Sequence, residues 1–276
     1  MNQTPPVMEP TTPEQFAKWE ELTRAMLRRN GIDNRAGFQD LLGYPHLADQ
    51  MDIIIRRAKK AGGITPATPT TVTLTKSQLA AQAIMGTNFF GTQEAAKHFR
   101  ARWTQRQLDD LATVPFSPEV LEACKCTHIL VAGYPMTLLQ VRTKANQAKR
   151  GKLFYSPTGD WYETEAFARK TKVEVRWYLI RKKPVDNSTN KSWDEQQVLL
   201  NDEATPTACV TDYAIIGHFL SRGERLFEKI YVRVSDIDSY GLRVFVGDFD
   251  PSGFYVDGDS DGCCDSDLGL SASRNF

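Results

Sequence analysis

Near the end of this 276-residue chain, the stretch YVDGDSDGCCDSDLG, Tyr255 to Gly269, sets five aspartates and two adjacent cysteines among glycine and serine. Two chemistries are written in those side chains. Asp257, Asp259 and Asp261 at alternate positions, Gly262 for a turn and Asp265 beyond it follow the oxygen-ligand pattern of a calcium loop. The twelfth place of such a loop, where a bidentate glutamate closes the coordination, is taken by Leu268. Cys263 and Cys264 offer thiol–disulfide chemistry, but neighbouring cysteines bridge only with strain, and surrounding aspartates raise a thiol's pKa where reactivity needs it lowered. Elsewhere, CKCTH places Cys124, Cys126 and His128 too tightly for an ordinary structural zinc site and offers no second ligand pair. His218 sits in an apolar helical pattern and reads as a satisfied core histidine. No Ser-His-Asp order, glycine-rich phosphate loop or paired catalytic carboxylate stands out, so the chain reads as non-enzymatic.

The elements that must position these residues follow from periodicity and capping. Helical patterns cover much of 12–60, with Phe16, Trp19, Leu22, Met26 and Leu27 on one stripe, and AGGITPATPTTVTLT, 61–75, reads as a linker. Short helices are expected at KSQLAAQAIM, TQEAAKHF, TQRQLDDLA and SPEVLEAC, the last with Ser117 as N-cap and Pro118 at its first position. After residue 125 strands and helices mix. THILVAGYP, KLFYS and VEVRWYLIRKKP read as strands, and MTLLQVRTKANQAKRG, SWDEQQVLL and PTACVTDYAIIGHFLSRG as helices. The last fifty residues carry KIYVRVSD, LRVFVGDFD and LGLSASRNF. In the closing strand Leu268, Leu270, Ala272 and Phe276 share one face and Gly269, Ser271, Ser273 and Asn275 the other, the writing of a half-buried strand. Trp161, Tyr162, Trp177 and Trp193 suggest an aromatic core or a sugar-stacking face, and their scatter through these elements favours core.

Composition narrows the function. Lys plus Arg and Asp plus Glu both number 34, so no net field draws in nucleic acid or an anionic membrane. No apolar run would span a bilayer, and the N-terminal residues lack the pattern of a secretory signal, which makes a cytoplasmic protein the default expectation; display on a virion or cell surface would need another route. The odd count of cysteines, 5, argues for free thiols.

A second property of the acidic stretch is its vocabulary. From Tyr255 to Asp267 every residue is Tyr, Val, Asp, Gly, Ser or Cys, all reachable from an AAY asparagine codon by changing its two adenines. Lys, Glu, Gln, Met and Trp are not reachable that way and are absent there. With the frame GERLFEKIYVRVSD, RVFVGDFDPSGFYV and LGLSASRNF around it, the stretch resembles the variable region of proteins diversified by diversity-generating retroelements, in which a reverse transcriptase copies a template repeat with adenine-specific errors into the end of the target gene. The frame is similar to that of C-type-lectin-fold variable proteins, including those related to the formylglycine-generating-enzyme type.

The resemblance implies an α+β chain. Residues 1–60 would be a helical region, 61–75 a linker, 76–125 a helical connector and 126–276 a C-type-lectin-like domain of mixed and antiparallel strands with flanking helices, its variable region at about 252–276. It further implies a receptor for a protein or glycan ligand, bound by the side chains of Tyr255, Asp257, Gly258, Asp259, Ser260, Asp261, Gly262, Cys263, Cys264, Asp265, Ser266 and Asp267. Val244, Val246 and Phe249 before that surface, and Leu268, Leu270, Ala272 and Phe276 after it, would form the rigid platform, with Tyr255 as aromatic anchor. Two other readings stay open on the residues alone. One is a calcium-binding lectin-like module using Asp257, Asp259, Asp261 and Asp265, which makes calcium the one cofactor in view. The other is an oxidase using Cys263 and Cys264.

Overall fold

The computed structural model describes residues 72–149, 153–155 and 160–274. The chain divides into Met1–Thr68 and Pro69–Phe276, and every described residue belongs to the second unit. The helical readings within 12–60, the linker at 61–71 and the platform residue Phe276 lie outside the described residues.

Helices form where the local signals are complete. Thr75 opens α1 (Lys76–Met85) with a capping box: its hydroxyl accepts from the Gln78 N–H while the Gln78 side chain accepts from the Thr75 N–H. α2 spans Thr92–His98 and α3 spans Gln105–Asp110, the latter boxed by Thr104 and Gln107. Ser117 caps α4 (Pro118–Cys124) as expected. α5 covers Leu138–Lys149 and α6 Ala166–Arg169. Ser192 and Glu195 box α7 (Trp193–Gln197), and Thr207 caps α8 (Ala208–Arg222).

The strands gather into two sheets, and the fold is α+β. One sheet holds β1 (Phe89–Phe90), β2 (His128–Ala132), β3 (Trp177–Arg181), β9 (Ser273–Arg274) and β4 (Glu203–Ala204), in the order β1-β2-β3-β9-β4. The other holds β5 (Tyr231–Ile237), β6 (Arg243–Asp250), β7 (Gly253–Asp259) and β8 (Leu268–Leu270), in the order β7-β6-β5-β8. α8 touches strands of both sheets, and each of its residues from Ala208 to Phe219 is buried. That matches its nearly continuous apolar text. Phe90 meets Tyr213 edge-on at 5.9 Å on one side of α8, and Phe219 meets Phe249 at 4.9 Å on the other.

Three features depart from the sequence reading. Residues 76–125 are not a connector set apart from the strands. Met85, Leu111 and Leu121 share one core with Leu130, Ile215 and Val246, and the Trp177 indole N–H donates to the Leu111 carbonyl at 3.0 Å. Tyr255 to Asp259 belong to a strand, β7, rather than to a loop. The closing segment is not one half-buried strand. Leu268 to Ala272 are buried on both faces, Ser271 completely, and the segment contributes β8 to one sheet and β9 to the other. Its outer side is covered by residues 184–200, where Val185, Trp193, Leu199 and Leu200 pack on Leu270 and Ala272.

Candidate functional site

The pairing of the four-stranded sheet dictates the path of the acidic stretch. β6 runs antiparallel to both β5 and β7, so β5 and β7 point the same way, and β8 is parallel to β5. A chain leaving Asp259, which faces Arg243, must therefore travel back along the sheet before Leu268 can sit beside Tyr231. Residues 260–267 make that return. Val232, Val234, Val244 and Val246 fill the inner face, so by alternation Tyr231, Arg233, Arg243 and Phe245 point to the outer one. Across that outer face the crossover runs.

Donors outside the crossover hold its main chain. The carbonyl of Asp261 accepts from the Trp193 N–H at 2.8 Å, that of Asp265 from the Asn190 N–H at 2.8 Å, and that of Asp267 from the Tyr231 N–H at 2.8 Å. The carbonyl of Cys263 accepts from Nη2 of Arg233 at 2.6 Å. Arg233 is 0% exposed and spends Nη1 on the Lys191 carbonyl at 3.0 Å. Thus alternate carbonyls, 261, 263, 265 and 267, are bound by the surrounding frame, and none of those four bonds uses a crossover side chain. Such bonds contribute about 1 kcal/mol each, more where the donor is charged.

The side chains of the stretch point away. Asp257, Asp259, Ser260, Asp261, Gly262, Cys264, Asp265, Ser266 and Asp267 are exposed, whereas Tyr255, Gly258 and Cys263 are half-buried. Val256, inside the same stretch, is buried in the core. The expected platform residues Val244, Val246, Phe249, Leu268, Leu270 and Ala272 are all buried. Asp261 is the crossover side chain that engages the frame. Both its carboxylate oxygens accept from Arg243, at 2.9 and 3.0 Å, and the Arg243 guanidinium lies 3.8 Å from the Trp193 ring centre.

Tyr255 is not a lone anchor. Its ring stacks on Tyr155 at 4.2 Å and meets Tyr231 edge-on at 6.2 Å, and Tyr231 in turn meets Phe245 at 5.1 Å. Gly247 stands in register between Tyr231 and Tyr255. At φ +133, with any Cβ coming 2.4 Å from the Ile230 carbonyl, only glycine fits there, and its missing side chain leaves the space over which the two rings meet. Trp161 closes the edge of β7 by donating its indole N–H to the Val256 carbonyl at 2.9 Å. Of the four residues read as aromatic core, Tyr162 and Trp177 are core, whereas Trp161 is 40% exposed and Trp193 supports Arg243.

The competing chemistries find these surroundings. Among the described residues no group of three or more His, Cys, Asp or Glu is arranged to hold a metal ion. Of the calcium candidates, Asp257 and Asp259 are strand residues, Asp261 is committed to Arg243, and Asp265 accepts from the Ser266 N–H at 2.9 Å. All five cysteines are free thiols. Burial first, and then the hydrogen bond and charge of Asp259, push the Cys263 thiol up, away from the thiolate a redox pair requires. In CKCTH, Cys124 is buried and Cys126 exposed, while His128 bonds Glu203 at 2.9 Å. Burial alone would raise the Glu203 carboxyl, but His128 and Arg181 together hold it below its ordinary value. His218 is satisfied by Glu224 at 2.7 Å. No helix among the described residues is long and apolar enough to cross a membrane.

Sequence reasoning missed Arg233, Arg243, Asn190 and Tyr155. A signal did exist for the arginines: in YVRVSD and LRVFVGD a charge interrupts a run that otherwise reads as buried strand, and such a charge needs a partner. The fold and site thus define an α+β protein that presents an acidic crossover on the outer face of a sheet. Compared with family models, with curated proteins and with solved structures, the chain matches none.

Proposed function

We propose that this chain is a non-enzymatic binding protein whose C-terminal surface is diversified by a retroelement through adenine-specific mutagenesis, and that its two sheets form a C-type-lectin-like frame for that surface. The observation that carries this reading is the way the crossover is held. Its carbonyls at 261, 263, 265 and 267 accept from Trp193, Arg233, Asn190 and Tyr231, all outside the stretch of restricted vocabulary, while its side chains, the half-buried Cys263 apart, are exposed. A surface meant to be rewritten needs this division, because a backbone held by residues outside it keeps its path whichever side chains are drawn. The sole buried side chain between Tyr255 and Asp267 is Val256, which the codon set also reaches. A protein or glycan ligand fits such a surface.

The test is genetic. DNA beside the gene should hold a near-copy of its 3′ end that differs only where the copy has adenine, together with a reverse transcriptase gene. Differences at other template bases, or no copy at all, would overturn the reading.

A further inference from the structure

We propose that Tyr155, Tyr231 and Phe245, three constant rings, form with the Tyr255 now between them an aromatic shelf that seats an arginine-bearing segment of a protein partner. This deepens the reading of residues 255–267 as a binding surface and rests on it. The shelf is assembled from four separate segments. Tyr155 reaches it because its N–H donates to the Phe254 carbonyl at 2.9 Å, which lays residues 153–155 along the free edge of β7. Tyr155 is 40% exposed, and Tyr231, Phe245 and Tyr255 are each half-buried. Four adjoining aromatic rings left open on an outer sheet face are the kind of rigid, amphipathic anchors that dominate binding interfaces. Tyr155, Tyr231 and Phe245 lie outside the stretch of restricted vocabulary, so they persist whatever the crossover becomes.

Charge selects the occupant. Asp248 holds the Tyr231 hydroxyl at 3.1 Å, and Asp257 stands opposite Phe245 in the sheet register. Asp259, Asp261, Asp265 and Asp267 ring the same face and are exposed. Two cations of the same face, Arg233 and Arg243, are 0% and 7% exposed and already bonded to the crossover. Rings framed by carboxylates attract a cation to their faces and repel phosphate. Guanidinium suits the shelf better than ammonium, because it is planar, weakly hydrated and able to stack on an aromatic ring while forking onto a carboxylate.

The test uses the full chain and three fluorescein-labelled dodecapeptides, alternating Arg-Gly, Lys-Gly and Glu-Gly, read by anisotropy. The Arg peptide should bind, the Lys peptide several-fold more weakly and the Glu peptide not at all. Tyr155→Ala and Phe245→Ala should each weaken the Arg peptide about 5-fold or more, a loss in the range of one cation–π contact, and Tyr155→Phe should retain binding. Melting temperatures of the variants show that the shelf, not the fold, was removed. Equal affinity for the Arg and Lys peptides, or binding indifferent to both alanine variants, would reduce the surface to an unselective acidic face and overturn the proposal, as would no binding. The genetic test stands apart from this one: absence of a template copy with shelf-dependent binding intact removes only the diversification reading.

Discussion

Arg243 grips Asp261 with two parallel hydrogen bonds, 2.9 and 3.0 Å long, and through them the frame reads a side chain of the crossover directly. The Arg243 side chain is 8% exposed and that of Asp261 48%, so solvent screens much of the pair. Asp261→Asn should therefore cost about 1 kcal/mol in urea denaturation, whereas Asp265→Asn, whose carboxylate reaches only its neighbour's N–H, should stay within about 0.5 kcal/mol. Equal costs would mean that the Arg243 fork adds nothing to stability.

Arg233 is the stronger dependence. Arg233→Met keeps the bulk of a fully buried side chain but leaves the carbonyls of Cys263 and Lys191 without donors. The expected loss is about 2–3 kcal/mol, with amide exchange across 260–267 faster than in the wild type. Unchanged exchange there would show that the other three main-chain bonds hold the crossover by themselves.

Tolerance should divide sharply between crossover and platform. A Cβ added at Gly262 would meet no atom within 4 Å, and Ser260 and Ser266 are exposed. Exchanges at these three positions should stay within about 0.5 kcal/mol each. Leu270→Ala and Phe249→Ala, both at wholly buried sites, should cost about 2–5 kcal/mol. Urea denaturation of the five variants checks the division, and overlapping costs for the two groups would erase it.

Gly269 is the exception on the closing segment. A Cβ there would come 2.6 Å from Pro184 Cβ and 3.0 Å from the Ser188 hydroxyl, whose oxygen accepts from the Leu270 N–H. Gly269→Ala should cost about 1–3 kcal/mol by overpacking, measured by thermal denaturation, and a neutral result would mean that residues 184–188 yield freely.

A buried carboxyl in α8 gives the chain a pH dependence. Asp212 in α8 is wholly buried, and neither of its oxygens has a hydrogen-bond partner among the described residues. Burial first, and the charge of Asp236 second, push its pKa well above the ordinary range. The folded state therefore binds this proton more tightly than the unfolded chain does. The stability it confers is complete below the unfolded pKa of about 4 and is lost as pH rises through the folded value. Asp212→Asn should match the wild type near about pH 4 and exceed it increasingly toward about pH 8, read as melting temperature across that range. Parallel curves for the two proteins would remove Asp212 as the cause.

The sequence was most legible where structure is local. α4 and α7 open at Ser117 and Ser192 because cap and helix lie within four residues of each other. β7 escaped because Asp257, Gly258 and Asp259 disfavour a strand, and pairing with β6 overrides that preference. The closing segment showed a clean alternation, yet both its faces are covered. The cover on its outer side comes from residues 184–200, distant in sequence, which no periodicity in LGLSASR can announce. At the site, the exposed residues were legible as an odd vocabulary, but the donors beneath them were not. Trp193, Arg233 and Asn190 act through long-range hydrogen bonds that leave no local trace.

Residues 268–274 enter both sheets, β8 beside β5 and β9 between β3 and β4. A slip of reading frame anywhere between 255 and 267 would strip a strand from each sheet at once and open two edges to solvent. Both sheets thus hang on a single reading frame, and a chain shifted out of it between 255 and 267 could complete neither.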